Sequence, residues 1–247
     1  MEVIILAGGL GTRLRPAVGD LPKCMAPVCN RPFLYYILLY LSRYKTIRKI
    51  ILALGYRHEI IVNWIEQLQE FEFEYIFSIE DAPLGTGGAI KRALKCTTSD
   101  RALVLNGDTM FKIDLDHFAR QHSQRGTRLS VALKPMKNFD RYGNVEINEQ
   151  SLITTFEEKK HCVEGRINGG IYLLSEKEWM NECPENFSFE TEVLQPQVKH
   201  GDICGFVYDD YFIDIGVAAD YARAQNEFNR LFCNELTVNI GGYGTLF

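Results

Sequence analysis

Two aspartates, a lysine, two arginines and two glycine-rich turns are the residues of this chain whose types and spacing could do chemistry. Leu6-Ala7-Gly8-Gly9-Leu10-Gly11-Thr12-Arg13-Leu14-Arg15-Pro16 begins at the end of the apolar run Val3–Leu6. Glycines there let the backbone turn sharply and approach a ligand with no Cβ in the way. Free N–H groups in such a turn can cradle phosphate oxygens, and arginines offer fixed forks of donors. A tight βα turn with surface arginines is the plain alternative. The spacing is neither the dinucleotide fingerprint nor the P-loop, because no Gly-Lys-Ser/Thr follows. Lys23 sits between Pro22 and Pro27, which stiffen its segment; its plain reading is a surface lysine. Asp108, in Asn106-Gly107-Asp108, follows the apolar strand 102–105. Open α/β sheets place ligands at the C-terminal edge of such strands, and a turn aspartate is the alternative. Asp214 is an acid inside an apolar run, where a carboxylate needs a partner. A hard cation is one such partner, and capping of a helix start at 216–220 is another role. Pro83-Leu84-Gly85-Thr86-Gly87-Gly88 is the second glycine-rich turn, readable by itself as a flexible loop with a helix cap.

Together these segments resemble the signature of the sugar-1-phosphate nucleotidyltransferases. The matches are Leu6–Pro16, Leu21-Pro22-Lys23-Cys24-Met25-Ala26-Pro27-Val28, Glu80 to Ala89, Asn106-Gly107-Asp108, Glu158-Lys159, Asn168-Gly169-Gly170-Ile171-Tyr172 and Ile213-Asp214-Ile215-Gly216. They run in family order from residue 2 to about 225. Within the family their form is most similar to the D-glycero-α-D-manno-heptose-1-phosphate guanylyltransferases.

The resemblance implies transfer of a nucleoside monophosphate from an NTP to a sugar 1-phosphate, with release of pyrophosphate. In its closest form the pair is GTP and the heptose 1-phosphate, giving GDP-heptose for a glycan such as a capsule or surface polysaccharide. Mannose-1-phosphate guanylyl transfer, or uridylyl, cytidylyl or thymidylyl transfer to another hexose phosphate, stands as the alternative. The resemblance also implies a nucleotide site of Leu6, Ala7, Gly8, Gly9, Gly11, Thr12, Arg13, Lys23, Glu80, Pro83, Gly85, Thr86, Asn106 and Gly107. Lys23 would meet the α-phosphate of the sugar 1-phosphate or of the nucleotide, and Arg13 the β- and γ-phosphates. Asp108 and Asp214 would bind Mg²⁺, and Arg13, Lys23, Asp108 and Asp214 would carry catalysis. Gly143, Glu158, Lys159, Asn168 and Gly169 match the sugar positions. Glu80 stands where the base is contacted, and a carboxylate can accept from the N1–H and exocyclic amino group of guanine, an edge uracil lacks. The chain departs from the family at Cys24 and Lys160, where proline is usual. Ser188-Phe189-Glu190 reads either as a closure of the sugar pocket or as a helix cap.

Two rivals come from other classes. A non-catalytic nucleotide-sugar sensor would be expected to have lost Arg13, Lys23, Asp108 or Asp214, and all four are present. A metal-dependent glycosyltransferase would be expected to show an Asp-x-Asp pair, which Asn106-Gly107-Asp108 is not.

The elements that must position these groups follow from patterning. Short apolar strands at 3–6, 49–55, 73–79 and 102–106 alternate with helices over 33–41, 58–69 and 87–94. That rhythm predicts parallel pairing through right-handed crossovers. After residue 110 it changes: a helix at 114–121, strands at 129–135, 144–147 and 167–174, and a short helix at 175–180. A hairpin of 206–208 with 211–213 and a helix over 218–232 follow. The expected fold is Rossmann-like (glycosyltransferase-A-like) α/β: one domain with a mixed, mostly parallel sheet flanked by helices. Residues 1–110 mainly form a nucleotide-binding half, 111–233 a sugar-binding half, and 234–247 a C-terminal tail.

The 247 residues, with 24% charged and net charge −5, suit a globular enzyme of small-molecule substrates. A mildly acidic chain offers no polyelectrolyte surface for nucleic acid, and no apolar stretch is long enough to span a membrane. Seven cysteines form no CxxC pair; Cys24, Cys29, Cys96 and Cys204 are expected as buried free thiols. The chain opens on a strand rather than a leader, so the cytoplasm is the default location. The five histidines lack ligand spacing and are expected in surface or loop positions, and Trp64 and Trp179 in the core. Oligomeric state is not legible.

Overall fold

The computed structural model describes residues 1–9, 11, 14–159 and 161–233, apart from the side chains of Glu158 and Lys159. The first half runs β1 (Glu2–Leu6), α1 (Arg15–Val18), β2 (Pro27–Val28), β3 (Arg31–Pro32), α2 (Phe33–Leu41) and β4 (Lys49–Leu54). It continues with α3 (His58–Gln67), β5 (Glu74–Ile79), α4 (Gly85–Leu94) and β6 (Arg101–Asn106). Residues of β1 alternate between the two faces: Val3 and Ile5 enter one core cluster, Ile4 the other. A strand buried on both faces reads as the unbroken apolar run seen in the sequence. β2 and β3 form a two-residue hairpin whose central residues Cys29 and Asn30 have φ of 46° and 64°, the left-handed pair a tight hairpin requires.

All nine residues of α2 are buried. Its tyrosines are tolerated there because their hydroxyls reach carbonyl groups: Tyr36 donates to Val28 O at 3.1 Å and Tyr40 to Ile113 O at 2.6 Å.

The second half runs β7 (Thr109–Phe111), α5 (Leu115–Arg125), β8 (Leu129–Phe139), β9 (Gly143–Ile147), β10 (Ile153–Lys159) and β11 (Cys162–Ser175). It ends with α6 (Gln195–Gln197), β12 (Ile203–Val207), β13 (Phe212–Asp214) and α7 (Ala218–Leu231). Asp114 caps α5 by accepting from His117 N–H at 2.9 Å, and Gly126, at φ 62°, ends it.

Among the described residues the main sheet has seven strands in the order β12-β8-β11-β6-β1-β4-β5. β1 pairs parallel with β4 and β6, β4 with β5, and β8 with β12, whereas β11 runs antiparallel to both β6 and β8. One mixed, mostly parallel sheet therefore passes through both halves of the chain. The last helix closes back onto the first: the Tyr36 and Phe228 rings lie 4.9 Å apart edge to face, and Gln225 and Tyr221 each donate to Pro27 O at 2.6 Å. No described helix is long and apolar enough to cross a membrane.

Several expectations need correction. The predicted hairpin of 206–208 with 211–213 does not form. β12 instead pairs parallel with β8, and β13 pairs antiparallel with β7, so the two runs belong to different sheets. The strand expected at 167–174 extends over Cys162–Ser175, and the helix at 175–180 is a 3-10 stretch over Lys177–Glu182. β10 carries mixed Thr, Glu and Lys and gave no strand signal; it forms by pairing with β9. His122 is not at the surface. It is 1% exposed and bridges Ser130 Oγ and Ser175 Oγ, each at 2.7 Å. Burial, with the nearby Arg101 charge, lowers its pKa to about 4. Cys24 and Cys204 are buried free thiols as expected, but Cys29 and Cys96 are only partly buried. Trp64 and Trp179 are likewise half-buried against the two clusters. The tail from 234 lies outside the described residues.

One acid clamps the start of the sheet. Glu2 is 7% exposed, and it accepts from Thr98 N–H and Ser99 N–H at 2.8 and 2.7 Å and pairs with Lys49 at 3.2 Å. Burial by itself would raise its pKa, but the two N–H groups and Lys49 overturn that and hold it at about 2, against an ordinary 4.5. A depressed carboxylate stabilises the fold above its unfolded pKa, and that stability is lost as pH falls from 4.5 toward 2. Glu2→Gln is therefore expected to lose about 3 kcal/mol at pH 7. Urea titrations should show the gap to the parent narrowing only below pH 4.5; a gap independent of pH would mean that packing, not charge, holds this corner.

Candidate active site

The sheet register assembles the site. Leu6 lies opposite both Ala53 and Asn106, and Leu54 opposite Ile79. Four neighbouring strands thus end level, and the loops that leave them meet at one edge, where parallel sheets bind ligands. They enclose a cleft of about 780 Å³ lined by Leu6 to Gly9, Lys23, Cys24, Gly55, Tyr56, His58, Ile79 to Pro83, Gly85, Thr86, Ala89 and Asn106 to Asp108.

Close backbone contacts explain the glycines. A Cβ on Gly107 would lie 2.5 Å from Leu6 O, and one on Gly55 would lie 2.5 Å from Glu80 Oε1. Glu80 thus rests one oxygen near the Gly8 and Gly55 backbone, while Oε2 accepts from Leu84 N–H at 3.2 Å. Burial raises its pKa, opposed by that N–H and by Arg92.

Lys23 and the two aspartates converge at the floor. Lys23 opens a 3-10 turn over Lys23–Met25, and Gly11, at φ 63°, leaves room for its side chain: a Cβ there would meet Lys23 Cγ at 2.9 Å. Lys23 Nζ lies 2.8 Å from Asp108 Oδ2. β13 pairs with β7 so that Asp214 faces Thr109, and Ile215 N–H donates to Asp108 O at 3.0 Å. A methyl group built on Gly216 would be 2.8 Å from Asp214 Oδ1, 3.2 Å from Lys23 Nζ and 3.6 Å from Asp108 Oδ2. The three charges therefore share one small space. Asp214 also accepts from Gly216 N–H at 2.8 Å and Tyr142 OH at 3.3 Å. Its pKa is raised, first by burial and then by the Asp108 charge, with the two hydrogen bonds and Lys23 opposing. Helix α7 starts only at Ala218, so Asp214 does not cap it.

Two crowded carboxylates with hard oxygen donors suit a divalent cation. The described residues offer no group of three or more acidic, His or Cys ligands. Two carboxylates with the remaining positions left to phosphate oxygens and water is the arrangement Mg²⁺ accepts. Cys24 adds no nucleophile: burial and Asp108 push its thiol up to about 12.

Residues 2–230 match the model of the family described as nucleotidyl transferase. The chain belongs to that family. This nucleotidyl transferase is 45% identical over 230 residues to a D-glycero-alpha-D-manno-heptose 1-phosphate guanylyltransferase of Aneurinibacillus thermoaerophilus, covering 92% of this chain and 98% of the relative. It is 47% identical over 223 residues to the protein of the same name from Campylobacter jejuni, covering 90% and 97%. Among solved structures, HddC from Yersinia pseudotuberculosis superimposes with a TM-score of 0.83 at 37% identity, over 92% of this chain and 99% of that one. The same protein complexed with GMP-PN gives 0.83 at 36%, with the same coverage.

The structure brings Leu6, Ala7, Gly8, Gly9, Lys23, Glu80, Pro83, Gly85, Thr86, Asn106, Gly107 and Asp108 to one cleft, with Asp214 beside them. Leu10, Thr12, Arg13 and Lys160 lie outside the described residues, and of Glu158 and Lys159 only the backbone, in β10, is described. The positions expected on the sugar side split. Gly143 pairs with Lys159, and a Cβ on it would lie 2.2 Å from Glu157 O. Asn168 spends its amide on Tyr172 OH at 2.7 Å and accepts from Gly170 N–H at 2.9 Å. Gly169 is wedged against Phe111, while the adjoining Gly170 meets Asn106. Strand pairing and packing thus account for glycines that the sequence could equally assign to a ligand. Sequence reasoning missed Gly55, Tyr56 and Asp81 and left His58 to a loop; all line the cleft. For Gly55 a signal existed, a glycine ending the apolar strand 49–54.

Proposed function

We propose that this nucleotidyl transferase moves the guanylyl group of GTP to D-glycero-α-D-manno-heptose 1-phosphate, forming GDP-heptose and pyrophosphate. The full-length likeness to two guanylyltransferases of that name carries the substrate pair. The convergence of Lys23, Asp108 and Asp214 at the cleft floor supports the chemistry. A sugar-phosphate oxygen attacks the α-phosphorus in line; the new P–O bond forms as the bond to the β-phosphate oxygen breaks. The phosphate is already a competent nucleophile, so no general base is required. Lys23 holds the α-phosphate and Arg13 the β- and γ-phosphates, so catalysis is positioning and charge neutralisation. Asp108 and Asp214 would hold Mg²⁺, which supplies charge neutralisation and orients the leaving pyrophosphate.

Glu80 reads the guanine edge, its half-buried acceptor suited to N1–H and the exocyclic amino group. Thr12 and the turn at Gly8, Gly9 and Gly11 take the phosphates, and Gly143, Glu158, Lys159, Asn168 and Gly169 form the sugar side. The division into a nucleotide half over 1–110 and a sugar half over 111–233 follows this arrangement. We place the reaction in the cytoplasm, where nucleoside triphosphates are held.

Pyrophosphate release with GTP, UTP, CTP and ATP against heptose and mannose 1-phosphates tests the reading. GTP with the heptose phosphate should give the highest kcat/KM. Mannose 1-phosphate should be about 5- to 150-fold poorer, the value of one lost hydrogen bond to the extra hydroxymethylene. A preferred pair with UTP or CTP would refute the base assignment. Equal use of mannose 1-phosphate would refute the sugar while leaving the class intact.

A further inference from the structure

Ser188-Phe189-Glu190 is a sequence feature that the reaction has not absorbed. Ser188 does behave as a cap: its N–H donates to Glu192 Oε1 at 2.8 Å, and its Oγ accepts from Thr191 N–H at 3.3 Å. Glu190 is not needed for that. It opens a five-residue π turn over Glu190–Leu194, a rare winding frequently found at functional sites. Its Oε2 accepts the Thr86 hydroxyl at 2.6 Å and the Ser188 hydroxyl at 3.2 Å.

Thr86 belongs to the cleft wall, and its hydroxyl both donates to Glu190 and accepts from Phe189 N–H at 2.9 Å. The loop around it is laced to the same segment. Gly87 N–H donates to Phe187 O, and Phe187 N–H to Leu84 O, each at 3.0 Å. A Cβ on Gly85, Gly87 or Gly88 would lie within 2.4 Å of Phe187 or Glu185 atoms. On the other side the Phe189 ring meets Tyr172 edge to face at 5.2 Å, and Tyr172 OH accepts from Asn168. Glu190 also approaches that phenol, whose pKa is raised by burial first and by the Glu190 charge next. A chain of contacts thus runs from the cleft wall, through Glu190, to the strand that carries Asn168.

We propose that Glu190 is a positioning residue for the transfer: it locks the Thr86 hydroxyl, and with it the nucleotide wall, in register with the Asn168–Tyr172 side. This rests on the reading of the cleft as the nucleotide site. A threonine whose hydroxyl donates to one group and accepts from another is held in the rotamer that serves both, and the loop that carries it is tied at that point. Without the acceptor, both are released, and small misplacement of reacting groups is costly. A carboxylate is acceptor-only, so one oxygen can take both hydroxyl protons. A glutamine keeps an acceptor but must place its NH₂ elsewhere.

The test measures kcat and KM for GTP and the sugar phosphate, with Tm, in Glu190→Ala, Glu190→Gln, Thr86→Val, Thr86→Ser and the Ala/Val double variant. Glu190→Ala and Thr86→Val should each lower kcat/KM for the nucleotide about 10- to 50-fold, with the double variant no worse than the poorer single one. Glu190→Gln and Thr86→Ser should recover to within about fivefold of the parent, since each keeps the essential hydrogen-bonding group. Full kcat/KM in Glu190→Ala, no rescue by glutamine, or multiplicative losses in the double variant would overturn the proposal. If Glu190→Ala does not fold, the Thr86→Val and Thr86→Ser pair decides in its place. Absence of pyrophosphate release by the parent with every NTP would instead refute the reading of the cleft, before any variant is compared.

Discussion

Asp108→Asn and Asp214→Asn are each expected to lower turnover at least about 100-fold while leaving the fold intact, the scale at which loss of one preorganised charge contact costs a transition state. The reasoning starts from the crowding at the cleft floor. Asp214 is pushed toward its neutral form by burial and by Asp108, so the ligand-free fold gains nothing from its charge. An amide of the same size relieves that repulsion, and thermal unfolding without ligands should hold or rise slightly for Asp214→Asn. Asp108→Asn removes the partner of Lys23 at 2.8 Å and should cost a little stability. Turnover should respond oppositely, because on the proposed mechanism the pair is needed once phosphates and a divalent cation are present. Pyrophosphate release in saturating Mg²⁺, beside thermal unfolding of the same samples, separates the two effects. Near-parental turnover in either variant would remove that aspartate from the metal role.

Lys23→Ala is expected to have the second large effect, a loss of about 100- to 1,000-fold in kcat. The KM for GTP should change far less, because the ammonium matters most as charge grows at the α-phosphorus. The geometry adds a readout of opposite sign. In the ligand-free fold Lys23 neutralises Asp108 and lies close to Asp214, so ammonium and divalent cation compete for the same oxygens. Removing the lysine leaves two like charges together, and Mn²⁺ binding to the ligand-free protein should tighten about 5- to 50-fold, a scale set by the partly screened interaction of neighbouring charges. Electron paramagnetic titration of free Mn²⁺ measures this directly. Unchanged kcat would exclude Lys23 from the reaction, and unchanged or weaker Mn²⁺ binding would exclude the shared cation position.

How far the sequence reaches depends on how local the determinant is. The central strands of the first half are apolar runs between polar punctuation, so β1, β4 and β6 were legible almost to the residue, and α2 to both ends. Gly8, Lys23, Asp108 and Asp214 stand out through their resemblance to a family signature, and the structure places Lys23, Asp108 and Asp214 side by side. β10 was not legible, since its mixed Thr, Glu and Lys acquire strand geometry only by pairing with β9. The expected hairpin of 206–208 with 211–213 failed for the same reason: β12 and β13 are both short, mainly buried runs, but such a run does not name its partner. Nor could sequence say why the loop at 83–88 is rich in glycine. The cause lies a hundred residues away, where the Phe187 ring and carbonyl and the Glu185 carbonyl occupy the space a Cβ would need.

The amino-acid sequence by itself determined the chemistry-bearing residues and the run of strands that present them, because side-chain type and apolar period are local properties. Only the tertiary structure decided that Lys23 sits beside both aspartates and that His122 is buried. It alone decided that Glu190 reaches Thr86, because each of these depends on which distant strand becomes a neighbour.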